Sequence, residues 1–274
     1  MASPIPVTMT QPSPMGEGLL AQALPLPDGW QRGGIGFEDP NCLAPTVMGQ
    51  CPEPGAELKP TDRVGSEEFR TYTLIQAVAC TTMGGTNVSA IAEAEIARTG
   101  GFALARELLT GEASARDTPD GVDPNPTLVG AAADLGAAFA TVAESLACLE
   151  ASLADLNSGR GGVILAPIGW ATQALAERVI WRDGARWRTV TGAPVIISGG
   201  FDGRAPGAVA PPADGDPLYA YATTAVWAGV GSVDTYADVN RSINTAAARA
   251  EEVALAAFST CAVVAAASTS ATAC

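Results

Sequence analysis

Histidine does not occur in this 274-residue chain, and lysine occurs once, as Lys59. Without histidine there is no Ser-His-Asp or Cys-His nucleophile system, no imidazole metal ligand and no general base that titrates near neutrality. An enzyme would have to work through carboxylates or cysteines alone. No GxSxG elbow is present, and Lys59 follows Leu58 rather than a glycine, which excludes a phosphate-binding P-loop. The glycine clusters Gly33-Gly34-Ile35-Gly36 and Gly229-Val230-Gly231 lack the third glycine of a dinucleotide fingerprint and read as loops or bends.

Positive charge is also scarce. Fifteen cations face 29 carboxylates, and the formal net charge of −14 repels nucleic acid phosphate, which argues against a conventional DNA or RNA binder. The six cysteines, at 42, 51, 80, 148, 261 and 274, contain no CxxC pair and no histidine to complete a zinc site. Cys148 and Cys261 are expected as buried thiols, whereas Cys42 and Cys51 flank a Pro/Gly-rich loop and could bridge each other. The N-terminus has neither a basic nor an apolar signal region, so a cytoplasmic protein is expected. Residues 253–274 carry no charge, but they are Ala, Ser and Thr more than Leu or Ile. They read as a final buried strand with a small-residue tail, not a membrane span.

What is present is a globular composition, 47% hydrophobic and 16% charged, enough for one large core or two modest ones. Residues 1–65 hold eleven of the 20 prolines and few periodic apolar runs. Such a segment buries too little surface to offset its own backbone entropy, so it is expected to be an arm, ordered only where it lies on something else. Trp30, Ile35 and Phe37 are its anchors. Residues 67–82 alternate β-branched and aromatic side chains and predict a strand or hairpin arm. A helix follows, capped by Asn87 or Ser89 and ending near Gly111, with a bend expected at Gly100-Gly101. The loop after it gathers Asp117, Asp120, Asp123 and Asn125, oxygen ligands dense enough for calcium but at no EF-hand spacing, so an exposed turn is the reading. Next, Leu135, Phe139, Val142, Leu146, Leu149, Leu153 and Leu156 step by three and four, predicting the longest helix of the chain as a core helix.

The stretch 161–203 carries the most structure in the fewest residues. Val163–Ala166 reads as a buried strand ended by Pro167, and Trp170, Ala174, Leu175 and Val179 recur at helical spacing. Residues 179–190 predict a hairpin turning at Asp183-Gly184, and Pro194–Ile197 a further strand. Beyond a Pro/Gly loop, 218–226 and 253–265 read as strands, while 242–252 suits helix and strand equally. The adjacent pairs Glu251-Glu252 and Asp214/Asp216 point apart and are expected on the solvated surface.

The order of these parts resembles the major capsid protein fold of tailed phages (the Hong Kong phage type), which encapsulins share. The local likeness is in Gly162-Val163-Ile164-Leu165-Ala166-Pro167, the Arg186-Trp187-Arg188-Thr189 strand and Thr191-Gly192-Ala193-Pro194-Val195-Ile196. It continues in Leu218–Thr223 and in Asn244 with Ala248-Arg249-Ala250-Glu251. These look like capsid proteins of phages from GC-rich, actinobacterial hosts. The resemblance implies an α+β fold with an N-terminal arm (1–65), an extended loop (66–86), a peripheral domain with a spine helix (87–126), an axial domain (127–213) and a peripheral return segment with a C-terminal tail (214–274). It also implies a virion subunit, assembled in the host cytoplasm, that self-associates as pentamers and hexamers of an icosahedral shell. That shell would enclose DNA without sequence-specific contact and would meet decoration, portal or scaffold proteins, with no membrane, no cofactor, no metal and no catalytic residue. Side chains expected at contacts between copies are Trp30, Ile35, Phe37, Phe69, Tyr72, Arg182, Arg186, Arg188 and Phe201. Some members join subunits by a lysine-asparagine bond in the extended loop. Lys59 precedes that loop as assigned, so no such bond is expected. The alternatives are an encapsulin-like cargo shell, a minor head or tail component, a carboxylate enzyme using Asp117, Asp120, Asp123 or Asp202, and an adhesin with paired cysteines.

Overall fold

Successive side chains of Ile164-Leu165-Ala166 are all buried but enter opposite cores, which places helices on both faces of one sheet. Ile164 and Ala166 join a core with Val142, Leu146, Leu149, Leu153 and Trp170, while Leu165 joins Leu104, Leu108 and Leu109 on the opposite side. The computed structural model describes residues 18–32, 34–38, 66–81, 87–112, 124–136, 138–156, 161–240, 245–260 and 262–273. In chain order these form α1 (Leu19–Gln22), β1 (Ile35–Glu38), β2 (Ser66–Phe69), β3 (Tyr72–Thr81), α2 (Val88–Thr110), α3 (Leu128–Ala131), β4 (Ala133–Asp134) and α4 (Val142–Leu156). Then follow β5 (Val163–Ala166), α5 (Ile168–Ala176), β6 (Ile180–Asp183), β7 (Arg186–Thr189), β8 (Pro194–Ile197), β9 (Pro217–Thr223), β10 (Val226–Asn240), β11 (Thr245–Phe258) and β12 (Val263–Thr272).

Three sheets result. The largest is seven-stranded, ordered β4-β12-β9-β5-β8-β7-β6, and the second is three-stranded, β10-β11-β3, with β1 and β2 as a separate antiparallel pair. The seven-stranded sheet takes strands from both sides of the expected boundary at 213, because β9 lies between β5 and β12. Helix α2 joins the two larger sheets. Its first half buries Val88, Ala92 and Ile96 against Ala246, Ala248 and Ala250 of β11, and its second half buries Leu104, Leu108 and Leu109 against the large sheet. The Asn87 carboxamide accepts from Ala90 N at 3.2 Å, and Gly111 closes the helix in the left-handed conformation (φ +67°). The helix runs unbroken through Gly100-Gly101.

Several local expectations need correction. The longest helix is α2, with 23 residues, while α4 has 15 and begins only at Val142. Leu135 and Phe139 are extended instead. Their amides donate to Ala265 and Ala267 carbonyls at 2.9 and 3.0 Å, supplying hydrogen bonds along the edge of β12. Gly136, at φ +105° and held by the Asp134 carboxylate, breaks the helical run between them. The β6–β7 turn lies one residue later than expected: Asp183 pairs with Arg186, so Gly184 (φ +61°) and Ala185 form the loop. A glycine with positive φ in the first loop position is the other primed hairpin turn. Residues 245–258, which suited helix and strand equally in part, are strand. The supposed small-residue tail is β12, whose residues Val263–Ala267 are buried between β4 and β9.

The arm is ordered over 18–32 and 34–38 by the chain's own core. Leu19 is fully buried, and Leu24 bridges to Trp227. Among the described residues no helix is long and apolar enough to cross a membrane.

Candidate assembly surfaces

The best-defined polar site is an ionic junction where α2 meets the loop after β8. Asp202 accepts from Arg106 Nη1 at 2.6 Å and from Arg204 Nη2 at 2.6 Å, and Arg106 also reaches Glu112 at 3.2 Å. Arg204 is 4% exposed. Its Nε also donates to Asp202, its Nη1 donates to Val209 O at 2.7 Å, and its own carbonyl accepts from the Tyr221 hydroxyl at 2.7 Å. Burial pushes the Asp202 carboxyl upward, but hydrogen bonds from Arg204 and the charges of Arg204 and Arg106 outweigh it and hold the group below its ordinary range. Burial raises the Tyr221 phenol, which stays a donor. Both acceptor oxygens of Asp202 are therefore committed to arginines, which fits a structural joint and not a general base. Asp117, Asp120 and Asp123, the other carboxylates of the enzyme alternative, lie outside the described residues. Among the described residues no three His, Cys, Asp or Glu side chains gather where a metal would sit.

A second polar feature is the β6–β7 ribbon at the open edge of the large sheet. Arg182 and Arg186 are exposed on it, with Arg182 stacked over the Trp187 ring at 6.0 Å, and Trp181 is 48% exposed. Arg188 is engaged by Asp183 at 3.1 Å and by the Gly192 carbonyl at 2.8 Å. Beside the ribbon lies a groove of about 740 Å³ whose walls include Arg186, Arg188, Glu150, Leu24 and Val226.

The other expected contact residues divide by burial. Phe69 (1% exposed), Tyr72 (4%) and Phe201 (3%) belong to the chain's own core, so their side chains are not available to a neighbour. Phe69 meets Phe258 edge-to-face, with centroids 5.4 Å apart. Trp30 and Ile35 are half-buried against the same core. Phe37 takes its place in β1 opposite Glu67, but its side chain lies outside the description. Cys148 is a free thiol, half-buried on α4, and the sulfurs of the other five cysteines, with the Cys42–Cys51 pairing, lie outside it too.

Three residues have structural places that the sequence reading did not foresee. Asn125 accepts from Arg70 N at 2.7 Å and donates to Arg70 O at 2.9 Å, pairing with the two-residue break between β2 and β3 as a strand would. Glu177 accepts from the amides of Val142 and Ala143 at the start of α4 and from Ser270 on β12. Glu252, expected in solvent, is 7% exposed beneath α2. None has a motif, because what surrounds each of them comes from segments distant in sequence.

No family model and no curated protein sequence matches the chain. Among solved structures the fold is shared over nearly its whole length, and it is the tailed-phage capsid fold. The chain aligns with one from Mycobacterium phage Ogopogo at 16% identity and TM-score 0.56, covering 92% of each chain. It aligns with the capsid of an empty GTA particle at 13% identity and TM-score 0.54, covering 98% of this chain and 94% of that one. The native GTA particle's capsid gives the same coverage and TM-score at 11% identity.

Proposed function

We propose that this chain is a virion structural protein, the major capsid subunit, and that it self-assembles into an icosahedral shell around packaged DNA and catalyses nothing. The observation that carries this reading is the match, over 98% of the chain, to the capsid of a GTA particle. The absence of histidine and the locking of Asp202 between two arginines support a non-catalytic role. A charge of −14 suits a container that confines DNA sterically without adhering to it. Virion residence, assembly in the host cytoplasm and contact with portal, scaffold or decoration proteins follow from the same reading.

The seven-stranded sheet with α4 and α5 serves as the axial domain in this reading, and α2 with the β10-β11-β3 sheet as the peripheral domain. Residues 66–69 and 72–81 of the expected extended loop are strands, and Phe69 and Tyr72 on them are buried in the chain's own core. Contacts between copies use Arg182, Arg186, Arg188 and Trp181 of the β6–β7 ribbon, because exposed Arg and Trp together are what protein interfaces favour. Trp30 and Ile35 contribute from the arm.

Negative-stain microscopy and native mass measurement of the purified full-length protein test the reading. Closed particles are expected. A monodisperse monomer at micromolar concentration overturns it, and open rings or tubes point to a tail component.

A further inference from the structure

Three irregularities share one row of the α2–sheet seam. On β11, Glu252 stands between Leu74 of β3 and Val233 of β10. Immediately beside that row, β10 carries a bulge between Val230 and Val233, and above it lies the Gly100-Gly101 step of α2. A Cβ on Gly100 would stand 3.7 Å from both the Glu252 carboxylate and Leu74. On one side of the row, Tyr72, Ala254, Ala256 and Phe258 belong to the large core, and on the other, Ala246, Ala248 and Ala250 form a small separate cluster with Val88, Ala92 and Ile96, flanked by Val78 and Val233. Leu74 touches both groups.

Glu252 accepts no hydrogen bond and has no ion pair among the described residues, although it is 7% exposed. The titratable groups around it offer no compensation. On α2, Glu93 is taken by Thr235 at 2.7 Å, Arg98 is paired with Glu95 at 2.6 Å in solvent, and Glu107 lies near Tyr72. On β3, Tyr72 is one inward position along. On β10, Asp234 lies opposite Glu251 on the sheet's other face. Burial alone accounts for the upward displacement of the Glu252 carboxyl from its ordinary value. An ionised carboxylate without a partner draws water or leaves the interior.

We propose that this row is a proton-operated hinge. With Glu252 neutral, the outer part of the β10–β11 hairpin and the first half of α2 pack rigidly on the base. With Glu252 ionised, the seam admits water at the glycine step and the bulge, and the outer part swings. Glycines remove side-chain restraint from the helix at that level, and a bulge lets a strand bend there without losing its register beyond. The hinge belongs to the single chain and holds whether or not the chain builds a shell.

Hydrogen exchange of the full-length protein between pH 5 and 8, corrected for intrinsic rates, tests this. Amides of 233–240 and 245–251 are expected to lose protection relative to 254–258 and 163–166 as pH rises, by up to about tenfold per pH unit for a single proton. Glu252→Gln is expected to hold the low-pH protection throughout, while Glu93→Gln keeps the wild-type slope. Gly101→Ala, whose added Cβ would meet nothing within 4 Å, is expected to raise outer protection at every pH. Equal response of outer and base amides overturns the hinge, as does an unchanged outer protection in Gly101→Ala. A slope retained by Glu252→Gln, or abolished by Glu93→Gln, overturns its assignment to Glu252.

Discussion

Arg106 and Asp202 meet at 2.6 Å, which ties the last turns of α2 to the loop that leaves β8. Arg204 shares the same carboxylate and is 4% exposed, so removing Asp202 leaves a buried guanidinium unpaired. Asp202→Asn is expected to cost about 3 kcal/mol in denaturant unfolding at pH 7. Because the folded carboxyl lies below its ordinary range, its contribution is complete above the unfolded value of about 4 and is lost as pH falls through the lower folded value. The wild type and Asp202→Asn are therefore expected to converge in stability towards pH 2, and a constant gap across pH would contradict the assignment.

Glu177 closes the start of α4 from another element. It accepts from Ala143 N at 2.8 Å and Val142 N at 3.3 Å, where the helix presents free amides and the positive end of its dipole. Burial raises its carboxyl, but the hydrogen bonds from Gln173, Ala143, Ser270 and Val142 prevail and lower it. Glu177→Ala is expected to cost about 1 kcal/mol at neutral pH, as loss of a helix cap does. Thermal unfolding should show the loss at pH 7 and little difference once the carboxylate is protonated in acid.

Gly200 is a steric contact with α2. A Cβ there would lie 2.3 Å from the Phe102 carbonyl oxygen and 2.8 Å from the Ala105 side chain. Gly200→Ala is expected to destabilise by about 2 kcal/mol, the range of overpacked cores. Gly161→Ala, where nothing lies within 4 Å, is the control and should unfold at the wild-type midpoint.

The β6–β7 ribbon separates folding from association. Arg182 and Arg186 are exposed, so the double variant Arg182→Glu/Arg186→Glu is expected to keep the wild-type circular dichroism and melting temperature within a few degrees. Static light scattering should show the assembled mass falling to that of small oligomers. Full-sized particles from the variant would remove the ribbon from the contacts between copies.

The stretch 161–203 was legible because each of its elements is short and punctuated within itself: Pro167 before α5, Gly184 in the turn, Gly192 after β7. Only the position of the turn moved. The same reading failed at Leu135 and Phe139, whose spacing matched a helix although β12 takes their amides, and β12 lies some 130 residues away. Alanine misled differently. Ala246, Ala248 and Ala250 carry no strand propensity, and their value is that small side chains let α2 lie close on the sheet. Among the proposed contact residues, Arg182 and Arg186 could be picked out because local charge shows exposure. Phe69, Tyr72 and Phe201 could not be classified that way, since an aromatic side chain looks the same in a strip of sequence whether a neighbouring copy or its own core covers it.

Strand β12 lies second in the large sheet, with β4 on one side and β9 on the other. During synthesis the ribosome must release residue 272 before that sheet can close, and until then β4 has no partner strand and one edge of β9 is bare. Contacts this distant in sequence are made late and slowly. The large sheet therefore closes only once Val263–Thr272 has been made, however early its other strands are available.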